Sequence, residues 1–98
     1  MTFFLTKQPK SVTGTCFNIS IYRTANDCEL LSIMVRDKDM QCWKCNLGEW
    51  YKCMDNYQEI TDLMSKEVSV EIDFNAQPGT GYHTARFVPQ KSNQNVHN

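Results

Sequence analysis

Residues 55–74 read Asp55-Asn56-Tyr57-Gln58-Glu59-Ile60-Thr61-Asp62-Leu63-Met64-Ser65-Lys66-Glu67-Val68-Ser69-Val70-Glu71-Ile72-Asp73-Phe74, and their apolar period changes halfway. Tyr57, Ile60, Leu63 and Met64 recur at helical spacing on one face. Asp55 stands before them as an N-cap, with Gln58 three residues on, a pattern that satisfies the free backbone N–H groups of a helix start. This helix is expected to end near Lys66. Val68, Val70, Ile72 and Phe74 then alternate with Ser69, Glu71 and Asp73, the period of two that buries one face of a strand. The stretch is therefore a helix followed at once by a strand.

Upstream, three further strands are legible. From Val12 to Thr24 the residues Phe17, Ile19 and Ile21 alternate with Asn18, Ser20 and Tyr22, which predicts the first three inward and the others outward. Gly14 marks a candidate bulge. Ala25-Asn26-Asp27 has turn chemistry. Leu31, Ile33 and Val35 alternate with Ser32, Met34 and Arg36 in a second strand. The polar link Asp37-Lys38-Asp39 is short enough to fold a third strand, Met40 to Cys45, back as a hairpin, and Asn46-Leu47-Gly48 is expected to close that unit. Downstream, Asn75 to Gly81 has loop composition, Tyr82 to Val88 makes a fifth strand, and Pro89 stops it. The chain divides into an N-terminal arm over 1–10, a domain over 11–90, and a polar tail over 91–98 that carries no apolar period.

The chain has 98 residues, 41% hydrophobic and 21% charged, enough for one core and too few for two. Ten Lys plus Arg against eleven Asp plus Glu leave a formal charge of −1. That balance excludes a globally basic duplex-coating protein and confines any nucleic-acid contact to a local patch. No apolar run approaches the roughly 18 residues of a membrane span, and Met1 to Lys7 lacks the pattern of a signal peptide. An intracellular protein without membrane contact is expected, in the cytoplasm or, for a viral protein, in that of the host. Five cysteines, an odd count, then read as free thiols.

Three strands, a helix and two strands form the element order of the five-stranded Greek-key barrel called the OB-fold, an all-β class with one helix capping the barrel between strands three and four. An open α+β sandwich fits the same order, and an SH3-like barrel fits less well because Asp55 to Lys66 is long for it. Val12-Thr13-Gly14-Thr15 before a long first strand, and Glu67 to Phe74 followed by Tyr82 to Pro89, resemble small OB-fold single-stranded-DNA-binding proteins of phage or plasmid replicons. The ending Ala85-Arg86-Phe87-Val88-Pro89-Gln90-Lys91 is also similar to the last strand of filamentous-phage DNA-binding proteins, which lack a helix where this chain has one. The likeness covers roughly residues 11–90 and rests on element order. It implies a phage protein of DNA replication.

OB-folds bind along strands two and three and the neighbouring loops, with rings stacking on bases and cations following phosphates. On the expected strands that chemistry falls to Tyr22, Arg23, Arg36, Trp43, Lys44, Tyr82 and Arg86 as nucleic-acid-binding residues. Trp43 and Lys44 are adjacent, so only one of them faces a ligand on a regular strand. The competing readings are that Trp43 fills the barrel, that Tyr22 and Tyr82 are ordinary strand residues, and that Arg36 and Lys44 are solvated beside Asp37 and Asp39. Glu71 and Asp73 repel phosphate, which restricts a groove to the other side of the barrel.

Cys42-Trp43-Lys44-Cys45, with Cys53 and either His83 or Cys28, raises a zinc reading. Against it, a second Cys-x-x-Cys is missing, Asn56 standing where the partner of Cys53 belongs, and a regular strand sends Cys42 and Cys45 to opposite faces. A redox pair lacks the strand-to-helix context it needs. No cofactor or metal is therefore expected. Catalysis has equally little behind it: the two histidines are His83 and His97, no Gly-rich phosphate loop occurs, and Asp37, Asp39 and Glu49 match no nuclease motif.

The expected function is non-enzymatic binding of single-stranded nucleic acid, DNA rather than RNA, by a homo-oligomer. The alternative is an OB-fold interaction subunit or phage-encoded inhibitor that docks on a host or replication protein through Phe3-Phe4-Leu5 or an exposed Trp.

Overall fold

The computed structural model describes residues 8–74 and 81–88. Most of the expected arm, including Phe3-Phe4-Leu5, nearly all of the 75–81 loop, and the whole 91–98 tail lie outside the described residues. The elements in chain order are β1 (Lys10–Arg23), β2 (Glu29–Asp37), β3 (Cys42–Glu49), a 3-10 turn (Trp50–Lys52), α1 (Tyr57–Thr61), β4 (Glu67–Asp73) and β5 (His83–Phe87). The strands close into a barrel in the order β1-β2-β3-β5-β4. All neighbours are antiparallel except β3 and β5, which meet in parallel at Cys45 and His83. This is the OB-fold topology expected from the element order.

Closure depends on β1, which pairs with β4 over Lys10 to Thr15 and with β2 over Gly14 to Arg23. Gly14 sits where both ladders overlap. A Cβ there would collide with the carbonyl of Arg36 and crowd Val35, so glycine is required for close backbone approach. The expected bulge lies further along, between Cys16 and Asn18. One extra residue reverses side-chain parity, so Val12 and Cys16 are buried before it and Ile19 packs against the core after it. Phe17, expected inward, instead sits half-buried under the Arg36 guanidinium, which lies 4.5 Å from its ring centre. Ile21 is partly exposed at the rim.

Leu31, Ile33 and Val35 are fully buried, as their alternation predicts, and Val68, Val70 and Ile72 face them from β4. Cys45, Ile60 and Ala85 complete the core. Fully burying each branched aliphatic side chain contributes roughly 1.5–3 kcal/mol, so these two strands supply much of what holds the barrel closed.

The helix is shorter than expected. Its N-cap is Asn56, not Asp55: Asn56 Oδ1 accepts from the Glu59 N–H at 3.1 Å, and Glu59 Oε1 accepts from the Asp55 N–H at 3.1 Å. After Thr61 the chain tightens into turns, with Leu63 N–H bonded to the Ile60 carbonyl and Lys66 N–H to that of Leu63. Ser65 adopts a φ of 66°, its N–H donates to the Cys16 carbonyl at 2.8 Å, and the Cys16 N–H donates to Lys66 at 2.9 Å. These bonds to β1 take the backbone groups that a longer helix would use. β3, by contrast, is longer than expected, because Asn46-Leu47-Gly48 continues it through a register shift instead of ending it. Gly48 takes a φ of 79° there, and its N–H donates to Asn46 Oδ1 at 3.0 Å. Among the described residues no helix is long and apolar enough to cross a membrane.

Candidate nucleic-acid interface

Antiparallel register sets the outer wall of β1, β2 and β3 in cross-strand rows. Thr15, Arg36 and Cys42 form one, Asn18, Met34 and Lys44 the next, then Ser20, Ser32 and Asn46, and finally Tyr22 with Leu30. The wall continues onto β5 through the Asn46–Thr84 pair. Lys44 Nζ lies 5.9 Å from the Tyr82 ring centre, and the chain enters Tyr82 from Gly81 at a φ of 85°. Arg36 caps Phe17 one row away. Both cations are exposed, and among the described residues neither pairs with a carboxylate. Side chains two apart on a strand stand roughly 7 Å apart along it, so the two charges lie within reach of neighbouring groups on one ligand.

Of the seven residues singled out in the sequence, Tyr22, Arg36, Lys44 and Tyr82 therefore fall on one continuous wall. The other three are differently placed. Arg23 sits at the rim and donates to Glu29 Oε2 at 2.8 Å and to Asp27 at 3.3 Å. Arg86 is engaged by Glu71 on the β4 side, with Nε to Oε1 at 2.8 Å. Trp43 shares the inward parity of Cys45 and packs half-buried against the core, so Lys44 is the member of that pair that faces outward.

Trp43 is also tied to the hairpin. Its Nε1–H donates to Asp37 Oδ2 at 2.9 Å, while Asp37 Oδ1 accepts the N–H groups of Asp39 and Gln41, each at 2.9 Å. The indole bond, ahead of the two backbone bonds, holds the Asp37 carboxyl below the usual carboxylate range. Asp37 thus serves the hairpin, holding the indole with one oxygen and the turn with the other. Lys10 Nζ stands 5.7 Å over the Trp43 ring, and His83 lies half-buried between Trp43 and Phe74, with ring centres 6.3 and 5.4 Å away.

A second aromatic cluster lies at the helix end of the barrel. Glu29 Oε1 accepts from Trp50 Nε1 and from the Tyr57 hydroxyl, both at 2.8 Å, and these bonds hold its carboxyl low and push the Tyr57 phenol up. Trp50 packs at 4.8 Å on Tyr57 and edge-on to Tyr51. Of the four residues that share a face by helical spacing, Ile60 is buried whereas Tyr57 and Met64 are exposed. The neighbouring Trp50-Tyr51 pair after Gly48 was the only local signal for such a cluster.

Cys42 is exposed and Cys45 fully buried, on opposite faces of β3. Among the described residues no three His, Cys, Asp or Glu groups converge in a way that would hold a metal ion. All five thiols are free. No protein-family model, curated protein or solved structure matches this chain.

Proposed function

We propose that the protein binds single-stranded nucleic acid, DNA in preference to RNA, along the outer wall of β1, β2, β3 and the start of β5, without carrying out a reaction on it. The observation that supports this reading is the pair Arg36 and Lys44. Each is an exposed cation without a carboxylate partner among the described residues, each lies over a ring, and the two occupy adjacent rows of one wall. Rings supply faces for bases at roughly 1–3 kcal/mol per stacked base, and the cations take phosphates. The wall is short, so self-association that lines up several copies belongs to the same proposal.

A titration of fluorescently labelled oligo-dT at low salt tests it. Saturable binding with a dissociation constant on the order of 1–100 μM is expected. Binding that is absent, or that is unaffected when Tyr82 and Lys44 are both replaced by alanine, ends the proposal.

A further inference from the structure

The second half of β1 has a partner on one side only. Pairing with β4 stops at Thr15, whereas the ladder with β2 continues to Arg23. Thr24 N–H donates to the Cys28 carbonyl at 2.8 Å, and bonded pairs alternate along an antiparallel ladder, so Ser20 and Tyr22 turn their N–H and C=O groups to β2. Ile19, Ile21 and Arg23 turn theirs to the other side. Cys16 points that way too, because the bulge between Cys16 and Asn18 shifts the alternation by one, and its two groups are taken by Ser65 and Lys66. Among the described residues the next three have no such partner. α1 leaves this edge open, with a groove between Ile19 and Ile21 on one side and Tyr57, Ile60 and Met64 on the other.

An open strand edge is a template for another strand, and proteins that keep one unpaired protect it with charge, proline or a bulge. Here the bulge lies upstream of the open stretch, and Phe17 to Tyr22 contains neither a charged residue nor a proline. Arg23, at the end, is already neutralised by Asp27 and Glu29. The edge is also self-complementary. Turned about a two-fold axis through Ile21, it sets Ile21 opposite its own copy and Ile19 opposite Arg23 in both directions, so each free N–H and C=O of these residues meets a counterpart. No like charges face each other in that register.

We propose that β1 joins a second copy of this chain edge to edge, by antiparallel pairing of Ile19 to Arg23 with the same stretch of the other copy. Main-chain bonds supply the attraction, as in other strand additions to an open sheet edge. The two-fold axis stands perpendicular to the sheet, so the outer walls of both copies face the same way and one runs on into the other. The pairing itself rests on the edge. Its use, a longer footprint that carries Arg36 and Lys44 twice, rests on the proposed nucleic-acid binding and deepens it by naming the surface through which copies line up.

Sedimentation velocity of the full chain, without nucleic acid, is expected to show a reversible monomer–dimer equilibrium. Amide hydrogen exchange at Ile19, Ile21 and Arg23 should be slower in the dimer by roughly tenfold or more, because their N–H groups gain acceptors there. Ile21→Lys sets two ammonium groups opposite each other across the axis, and Ile21→Pro removes a donor that β2 does not use. Each should raise the dimer dissociation constant roughly tenfold or more. A chain that stays monomeric up to about 1 mM overturns the proposal, as does a dimer whose protection centres on another surface. Protection of these three amides in the monomer also overturns it, since the edge is then covered within one chain. The exchange map is read on the unaltered chain and decides the matter even where a variant fails to fold. Oligo-dT binding is titrated separately: a monomer that binds it refutes the pairing alone, and a dimer that does not bind it refutes the nucleic-acid reading alone.

Discussion

Trp43 Nε1–H donates to Asp37 Oδ2 at 2.9 Å, which joins the last residue of β2 to the second residue of β3 across the hairpin. The same carboxylate caps the turn through its other oxygen. One side chain thereby sets the turn and anchors the indole against the core, which leaves Lys44 as the outward group.

Asp37→Asn is expected to lower stability and to change its acid dependence. The folded-state pKa of Asp37 is depressed, so its stabilisation is present above the unfolded carboxyl pKa of roughly 3.9 and is lost as pH falls through the lower folded value. Urea midpoints measured from neutral pH downward should fall less steeply for the variant than for the parent protein. An identical acid slope would contradict the role given to this carboxylate.

Gly14→Ala places a Cβ against the Arg36 carbonyl and Val35 Cγ1, where neither ladder of β1 has room to shift. A loss of about 1–3 kcal/mol is expected in chemical denaturation, of the size seen for overpacking. Ile33→Ala empties part of the barrel centre and should cost about 2–5 kcal/mol.

Arg36→Ala and Lys44→Ala should leave stability within about 0.5 kcal/mol, since both side chains are exposed. Each should weaken oligo-dT binding and reduce the slope of log affinity against log salt by roughly 0.7. Arg86→Ala, whose guanidinium is engaged by Glu71, should change affinity little. Equal losses from all three variants would move the interface off the β1–β3 wall.

Thiol labelling separates four of the five cysteines. Cys42 is exposed and should react first with a disulfide reagent at neutral pH. Burial pushes the Cys53 thiol up, which slows it. Burial raises Cys16 and pushes Cys45 up to about 12, so both should react only on unfolding. Mass spectrometry of a labelling time course reads the order directly, and early modification of Cys45 would contradict its burial.

The strands at Leu31-Ile33-Val35 and Val68-Val70-Ile72 were legible in the chain because a face buried along its whole length leaves an unbroken period of two. Helix and strand succeed each other so closely at residues 55–74 that the element order, and with it the barrel, could be read from local pattern alone. Nothing local encodes the extra residue at Cys16–Asn18 or the bonds from Ser65 and Lys66 back to Cys16. The first follows from the register of β1 against β2, the second from contact between segments some fifty residues apart, and together they decide that Phe17 leaves the core and that α1 stops early. Carboxylate partners obey the same logic. Composition counts charges, but only the pairing of β4 with β5 brings Glu71 to Arg86, and only the closed barrel leaves Arg36 and Lys44 uncompensated among the described residues on one wall.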